Sequence, residues 1–504
     1  VKADQLALPV AAVRRAEAAA MAKLPFGTLM QRAAAALAVE CAQLLREVTG
    51  GVAGRSVVLL IGAGANGGDA LYAGARLARR GVAVEALLVA DRWHTHGAQA
   101  LRRAGGRITA VTDSRAAVAR VAAADLVVDG IVGIGGRGAL RDPAAILAAA
   151  ATAAQVAIIA VDLPSGVDAD TGAVTDATRV VQAYRTVVFG VLKLGLLLPP
   201  GAAYAGDLTV IDIGLDLDES WEGGMTVVDD VVAARAIPLP TRSDDKYTRG
   251  VVGISAGSAR YPGAAVLATG SARHGVAGYV RYAGPAATQV AANWPDVVAV
   301  TGLPSEAGRV QCWVIGPGRG TDGAAHAAVL DALALAVPVV LDADALTILS
   351  EHADVRKAVR DRAAVTVLTP HAGEFARLGG GDLAADRFGA ARDLAATLQA
   401  VVLLKGAATL VVTPEGAAYL AHSGAPELAT AGSGDVLSGL LGSLLAHGQS
   451  RRTLTPEVAA ELAAGAAHVH GIAGQIAAEG GRSVAAGDVL AAVPDAIARV
   501  RGRG

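Results

Sequence analysis

The sequence predicts an α/β chain of two domains, each built on a doubly wound, mainly parallel sheet. Three observations carry that expectation. Short apolar runs bounded by glycine or polar residues, such as 55–61, 125–129, 185–189, 312–315 and 401–404, read as strands buried on both faces. Helical stretches alternate with them, the rhythm of βαβ units. The rhythm breaks once, at 216–242, where a charge cluster leads into Ile237-Pro238-Leu239-Pro240-Thr241. Domains are therefore expected over 1–220 and 240–504.

Taken in order, 9–22 and 26–48 read as helices parted by Leu24-Pro25-Phe26-Gly27. The strand over 55–61 enters the turn Gly62-Ala63-Gly64-Ala65-Asn66-Gly67-Gly68-Asp69, and a helix follows to residue 80. Strands over 82–89, 107–111, 125–129, 155–161, 185–189 and 207–211 complete the first sheet. The second half supplies strands over 250–255, 312–315, 338–341, 365–368, 401–404 and 409–412. From Gly434 the chain is expected to be almost wholly helical, beginning with the apolar run 436–445.

Composition narrows the function classes. The chain is 53% apolar and 18% charged, with only 3% aromatic residues, so ample cores must be aliphatic. A formal charge of −2 without a long basic run argues against a nucleic-acid partner held through phosphates. No run of about 18 strongly apolar residues is present, so no membrane-spanning helix is expected. Charged residues Asp4, Arg14, Arg15, Glu17 and Lys23 interrupt what would be a signal's apolar core, and two cysteines, Cys41 and Cys312, fit a reducing compartment. A cytoplasmic protein is expected.

Polar groups gather at strand ends in the first half. Gly62, Gly64 and Gly67 match GxGxxG, with Glu85 on the next strand as the distal acid of a dinucleotide fingerprint. That reading fits poorly, because Asn66 and Asp69 bring polar side chains into a turn that needs only backbone. Asp129 precedes Gly133-Ile134-Gly135-Gly136-Arg137-Gly138, and Asp162 and Ser165 stand in Val161-Asp162-Leu163-Pro164-Ser165-Gly166-Val167-Asp168. Each alone is a capped helix or a satisfied turn. At successive strand ends of one sheet they predict a site, with Asn66, Asp129 and Ser165 offering oxygen ligands to a hard cation.

In the second half, Ala429-Thr430-Ala431-Gly432-Ser433-Gly434-Asp435 brings small residues to an aspartate at a helix start. Backbone N–H groups there can hold a phosphate, and Asp435 stands where a base could take a proton from a hydroxyl facing it. Lys246-Tyr247-Thr248-Arg249-Gly250, Tyr261-Pro262-Gly263-Ala264-Ala265, Gly316-Pro317-Gly318-Arg319-Gly320, Asp342-Ala343-Asp344, Thr369-Pro370-His371-Ala372-Gly373-Glu374 and Lys405-Gly406-Ala407-Ala408-Thr409 accompany it.

Over about residues 1–215 these motifs resemble the epimerase domain of NAD(P)H-hydrate repair enzymes. Over 243–500 they resemble the ribokinase-like ADP/ATP-dependent NAD(P)H-hydrate dehydratases. The first resemblance implies a Rossmann-like domain in which Asn66, Gly67, Gly68, Asp69, Ala70, Gly133, Ile134, Gly135, Gly136, Arg137, Gly138 and Asp162 contact the hydrate. It also implies Asp162 as the acid/base, and K+ on Asn66, Asp129 and Ser165. The second implies that Ala264, Gly318, His371 and Asp435 contact the hydrate, with Asp435 catalytic. Lys405, Gly406, Ala407, Ala408, Thr409 and Gly434 would then bind the nucleotide, ADP or ATP, with Mg2+. Three positions depart from the usual patterns: Ala70 replaces a glycine, while Arg319 and Ala372 alter two loops. The implied activity is repair of hydrated NADH and NADPH (NADHX and NADPHX). Their R and S forms are interchanged in the first domain, and the S form is dehydrated in the second. A homo-oligomer is expected. The alternative is a ribokinase-like vitamin or sugar kinase fused to a nucleotide-binding scaffold, which would make a stable phospho-ester instead of releasing orthophosphate.

Overall fold

The computed structural model describes residues 3–217, 223–422 and 424–502; the stretch 218–222, in the expected linker, lies outside the described residues. The chain divides into two compact units, Val1–Gly224 with Ala384–Asp386 and Met225–Leu383 with Arg387–Gly504.

The first unit holds β1 (Leu6–Leu8), β2 (Ser56–Ile61), β3 (Ala83–Leu88), β4 (Arg107–Ala110), β5 (Leu126–Gly130), β6 (Ile158–Val161), β7 (Arg185–Phe189), β8 (Leu192–Lys193) and β9 (Asp207–Ile211). Its main sheet runs β4-β3-β2-β5-β6-β7-β9, parallel throughout. Alternate side chains of β2 feed two cores. Val57, Leu59 and Ile61 join Leu37, Cys41 and Leu71 on one face, while Val58 and Leu60 join Val127, Leu147 and Ala151 on the other. Helices cover both faces, so the strand reads as one continuous apolar run. The pair β1–β8, not expected from the sequence, sets Leu8 opposite Lys193.

The second unit holds β10 (Met225–Val227), β11 (Val251–Ser255), β12 (Tyr279–Ala283), β13 (Val298–Val300), β14 (Cys312–Ile315), β15 (Val339–Leu341), β16 (Thr366–Leu368), β17 (Val401–Leu404), β18 (Thr409–Val412) and β19 (Ala418–Ala421). Their order is β13-β12-β11-β14-β15-β16-β17-β18-β19-β10. Among the described residues of this unit, only β17–β18 and β18–β19 pair antiparallel. Residues 225–238 pack within this unit: Asp230 meets His468 Nε2 at 2.8 Å, and Arg501 donates to the Ile237 and Pro238 carbonyls at 3.1 and 2.8 Å.

The helices Ser433–Arg451, Pro456–Ala478 and Ala486–Arg501 close the chain, in line with the helical ending expected. Small residues let the first of them pack flush on the helix Pro262–His274 and on the sheet. A Cβ added to Gly439 would lie 2.1 Å from the Ala268 carbonyl oxygen, and one on Gly442 2.2 Å from a Val314 methyl. Among the described residues no helix is long and apolar enough to cross a membrane. Both cysteines are buried and free.

Candidate active sites

In the first unit the strand ends β2, β5 and β6 converge. The structure corrects one local expectation: the helix begins at Ala65, so Asn66, Gly67, Gly68 and Asp69 form its first turn instead of a loop ahead of it. Gly64 is extended and turns the chain directly out of β2. Gly67 then presses so close that a Cβ would lie 2.6 Å from the Gly62 carbonyl oxygen. The dinucleotide reading is also corrected. Glu85 is tied to Arg120 at 3.1 Å, Arg107 at 3.4 Å and the Thr109 hydroxyl at 2.8 Å, leaving no acid for a ribose.

Asn66, Asp129 and Ser165 are brought together. The Ser165 N–H and hydroxyl donate to Asp129 at 2.8 and 2.7 Å, and the Ser165 oxygen accepts from Val132 N–H at 2.9 Å. The Asn66 amide donates to the Val161 carbonyl. Its Oδ1 faces Gly133, where a Cβ would sit 2.3 Å away. Asp129 is 1% exposed, and no basic side chain lies within ion-pair distance among the described residues. Burial pushes its carboxyl up to about 6 against the pull of the Ser165 and Ile131 donors. An all-oxygen set around a buried carboxylate without a counter-charge fits a hard cation.

Asp162 directly follows β6 with φ +67, a conformation that strains a residue carrying a Cβ. Its Oδ1 accepts from Phe189 N–H at 3.0 Å and from the fully buried Lys193 ammonium, which also donates to the Phe189 carbonyl at 2.9 Å. Glu17 and Asp69 lie in the same field. Burial first, then the charges of Asp162 and Glu17, hold Asp69 well above the usual carboxylate range, and its Oδ1 has no partner among the described residues. Glu17 is also raised, by burial first, with Lys193 opposing. Sequence reasoning missed Lys193, although a lone lysine in the apolar run 191–198 was its signal.

Cavities of about 220 and 210 Å3 flank the segment Gly133, Ile134, Gly135, Gly136, Arg137 and Gly138. Arg14 stands over Gly135. Ala70 is fully buried with its methyl against Gly130, so it offers a ligand no exposed surface.

In the second unit, Gly432 takes φ +91 and turns the chain into the helix that carries Gly434 and Asp435 in its first turn. The N–H groups of Asp435 and Val436 already donate to the Gly432 carbonyl at 3.1 and 3.3 Å. Among the described residues those of Gly432 and Gly434 have no backbone acceptor, which leaves them to face an anion.

Lys405 opens the turn between β17 and β18. Its ammonium donates to Asp342 at 2.8 Å and lies 3.8 Å from Glu374, and a Cβ on Gly434 would be 3.6 Å from it. Ser438 donates to the other Asp342 oxygen at 2.6 Å. Burial opposes the lysine's charge, but Asp342 and Glu374 outweigh it and hold the ammonium above its ordinary value. Burial likewise works to raise Asp342, yet Lys405 and its hydrogen bonds carry it below the ordinary value. Asp435 differs: burial, then Asp342 and Asp344, push it up to about 7 despite Lys405. Ala343, between the two acids, sits at φ +49.

His371 caps the helix Ala372–Arg377. Its Nδ1 accepts from Gly373 N–H at 3.0 Å, while Glu374 accepts from His371 N–H at 2.9 Å. Gly318 (φ +59) meets Ala264 so closely that a Cβ would be 2.8 Å from the alanine methyl.

A cavity of about 740 Å3 is lined by His371, Lys405, Gly406, Ala407, Thr409, Ser433, Gly434 and His470, among others. Ala408 belongs to the same turn but is buried beneath it. Arg387 donates to the Lys405 carbonyl at 3.1 Å and steadies the turn. His470 bonds the Ser433 carbonyl through Nε2 at 2.9 Å, and burial pushes its imidazole down to about 4, so it is a neutral wall group. Neither Arg387 nor His470 was singled out by the sequence.

Comparison with known proteins gives a consistent result. Residues 27–195 match the family described as YjeF-related protein N-terminus, and 252–494 match NAD(P)H-hydrate dehydratase. A bifunctional NAD(P)H-hydrate repair enzyme Nnr of Mycobacterium leprae is 50% identical over 441 residues, 87% of this chain and 89% of that protein. Its counterpart from Mycobacterium tuberculosis is 50% identical over 438 residues, 86% and 88% of the two chains. A Bacillus subtilis ADP/ATP-dependent NAD(P)H-hydrate dehydratase crystallised with ATP/Mg2+ aligns at 25% identity and TM-score 0.47, covering 54% of this chain and 97% of that one.

Proposed function

The chain belongs to the bifunctional NAD(P)H-hydrate repair enzymes, and on that footing we propose how its residues divide the work. The first unit interchanges the R and S hydrates, and the second dehydrates the S hydrate with ADP or ATP. The observation that carries the dehydratase assignment is Asp435, raised to about 7 at a helix start beside Lys405. A carboxyl poised near neutrality accepts a hydroxyl proton with more driving force than an ordinary aspartate.

In the second site Asp435 takes the proton of the C6 hydroxyl as that oxygen attacks the terminal phosphoryl group, whose bond to the bridging oxygen breaks to release AMP from ADP or ADP from ATP. The N–H groups of Gly432 and Gly434 and the Lys405 ammonium face the charge developing on the phosphates. Loss of orthophosphate, together with a proton from C5, then restores the reduced nicotinamide. Mg2+, when bound, neutralises phosphate charge; the buried Asp342 and Glu374 carboxylates supply hard oxygen donors beside Lys405.

In the first site the C6 hydroxyl gives its proton to Asp162 as the N1–C6 bond opens, N1 takes up a proton, and the aldehyde recloses from its other face. Lys193 and Phe189 N–H hold Oδ1, which leaves Oδ2 for the substrate. K+, when bound to Asn66, Asp129 and Ser165, supplies a fixed positive charge. The N–H groups of the first helical turn and of the segment 133–138 face the substrate's phosphates. The two buried, unbonded cysteines suit a cytoplasmic location.

The deciding assay gives each purified hydrate epimer to the enzyme with ADP or with ATP. S-hydrate dehydration with release of orthophosphate is expected, and R-hydrate dehydration is expected to proceed only through epimerisation. A stable phospho-ester product would instead make the second unit a kinase.

Two further results are expected. Lys405→Met should raise the nucleotide KM about 10- to 100-fold, the range of a charge-assisted hydrogen bond worth about 1.5–3 kcal/mol. The hydrate KM should move little; an unchanged nucleotide KM in a folded variant would remove Lys405 from the nucleotide site. Cutting the chain between Gly224 and Met225 should yield two soluble halves, the first epimerising and the second dehydrating. An aggregated or inactive half would show that the units depend on each other.

A further inference from the structure

Apart from its candidate active site, the second unit gathers two imidazoles and a carboxylate. His326 projects from the helix Gly323–Ala334, His352 stands at the junction of the helices Asp344–Glu351 and Ala353–Asp361, and Asp354 lies in the first turn of the latter. The two rings stack with centroids 4.3 Å apart. His326 Nε2 lies 3.1 Å from Asp354 Oδ2 but makes no well-directed hydrogen bond, although it is buried. One ligand atom from each of the three lies within 4.8 Å of the others.

We propose that His326, His352 and Asp354 form a site for a borderline divalent first-row cation of the Zn2+ type, which ties the helix Gly323–Ala334 to the junction at His352. Two imidazoles and one carboxylate suit such an ion better than Mg2+ or Ca2+, which prefer all-oxygen shells. Ligand bonds of about 2.0–2.2 Å put neighbouring donor atoms about 3.0–3.5 Å apart, which the His326–Asp354 separation already matches. Donors of a four-coordinate ion lie about 3.5 Å apart, so the widest pair, now within 4.8 Å, must close by about 1 Å through side-chain rotation that unstacks the two rings. Three protein ligands leave a fourth position to water. The half-exposed Asp354 gives an entry path, its side chain being 55% exposed.

The location gives the ion a structural task. The helix Asp344–Glu351 starts at the Asp342-Ala343-Asp344 corner that holds Lys405, and His352 stands at its other end. A cation there would brace that corner without touching the reacting groups of this unit.

The test is Zn2+ binding to the full chain, saturated with Mg2+ and ADP to occupy the nucleotide site, in competition with a chromophoric chelator. One equivalent of Zn2+ is expected, together with a rise in melting temperature. Groups that only orient a metal's ligands are worth about 10- to 100-fold in affinity, so His326→Ala or His352→Ala should cost about 100-fold or more. Both variants should keep their metal-free circular dichroism and their dehydration rate. Asp354→Asn should weaken binding by less than either histidine change. Absence of a bound equivalent in the parent chain would overturn the proposal. So would binding that survives in both histidine variants, since it would place the ion elsewhere.

Discussion

Asp435→Asn is expected to remove dehydration of the S hydrate while leaving nucleotide binding in place. Asparagine keeps the size and can accept a hydrogen bond at the helix start, but it cannot take the hydroxyl proton. Loss of a positioned general base costs about 10²- to 10⁴-fold in rate, or about 3–5 kcal/mol of transition-state stabilisation. Backbone N–H groups and Lys405 hold the phosphates, so calorimetry should find ADP affinity retained or increased once the neighbouring charge is gone. In the parent enzyme the base must be ionised, so kcat/KM should rise with pH through about 7, the value set by burial, Asp342 and Asp344. Stability should run the other way. The carboxyl is raised from 3.8, so its stabilising contribution is complete below that value and is lost as pH climbs through about 7. The melting temperature of Asp435→Asn should therefore exceed the parent's above pH 7 and converge with it near pH 4. A variant that dehydrates near the parent rate would exclude Asp435 as the base.

Asp162→Asn should stop the interchange of R and S hydrates, again by about 10²- to 10⁴-fold, with S-hydrate dehydration unchanged in the same preparation. That second activity serves as the folding control. Asparagine is preferred to alanine here because Lys193 is fully buried against Asp162. Removing one partner of a buried ion pair costs about 3–5 kcal/mol, and asparagine still offers an oxygen to the ammonium and to Phe189 N–H. The companion change Lys193→Met should slow epimerisation by freeing the carboxylate to rotate, and it should lower the melting temperature as well. Retained epimerisation in Asp162→Asn would move the acid/base role to another group of the same cluster, Asp69 or Glu17.

Much of this architecture was legible in the sequence. The strands Arg185–Phe189, Asp207–Ile211, Cys312–Ile315, Val401–Leu404 and Thr409–Val412 lie where the apolar runs placed them. Most are buried on both faces and so read without interruption. The elements missed are short or mixed in character. The pair β1–β8 has three- and two-residue strands, β10 and β13 have three residues each, β19 has four, and β12 mixes Arg281 and tyrosines with apolar residues. The turn 62–69 was misjudged because glycines that signal a loop here permit a helix to start hard against a strand.

The sequence by itself determined which chemical groups stand at the strand ends, because motif spacing and strand period fix where a chain leaves its sheet. Asn66, Asp129, Asp162, Ser165, His371 and Lys405 were all readable in that way, and Asp435 from the small residues that precede a helix start. Only the tertiary structure decided what each of them does electrostatically. Lys405 finds Asp342 across 63 residues of chain, and Asp162 finds Lys193 across 31. The protonation of Asp435 and Asp69 follows from burial and from charges contributed by separate elements, and that of Asp129 from burial set against the Ser165 and Ile131 donors. Residue type and spacing are local properties, whereas the field at a carboxyl group sums over every neighbour the fold brings near it.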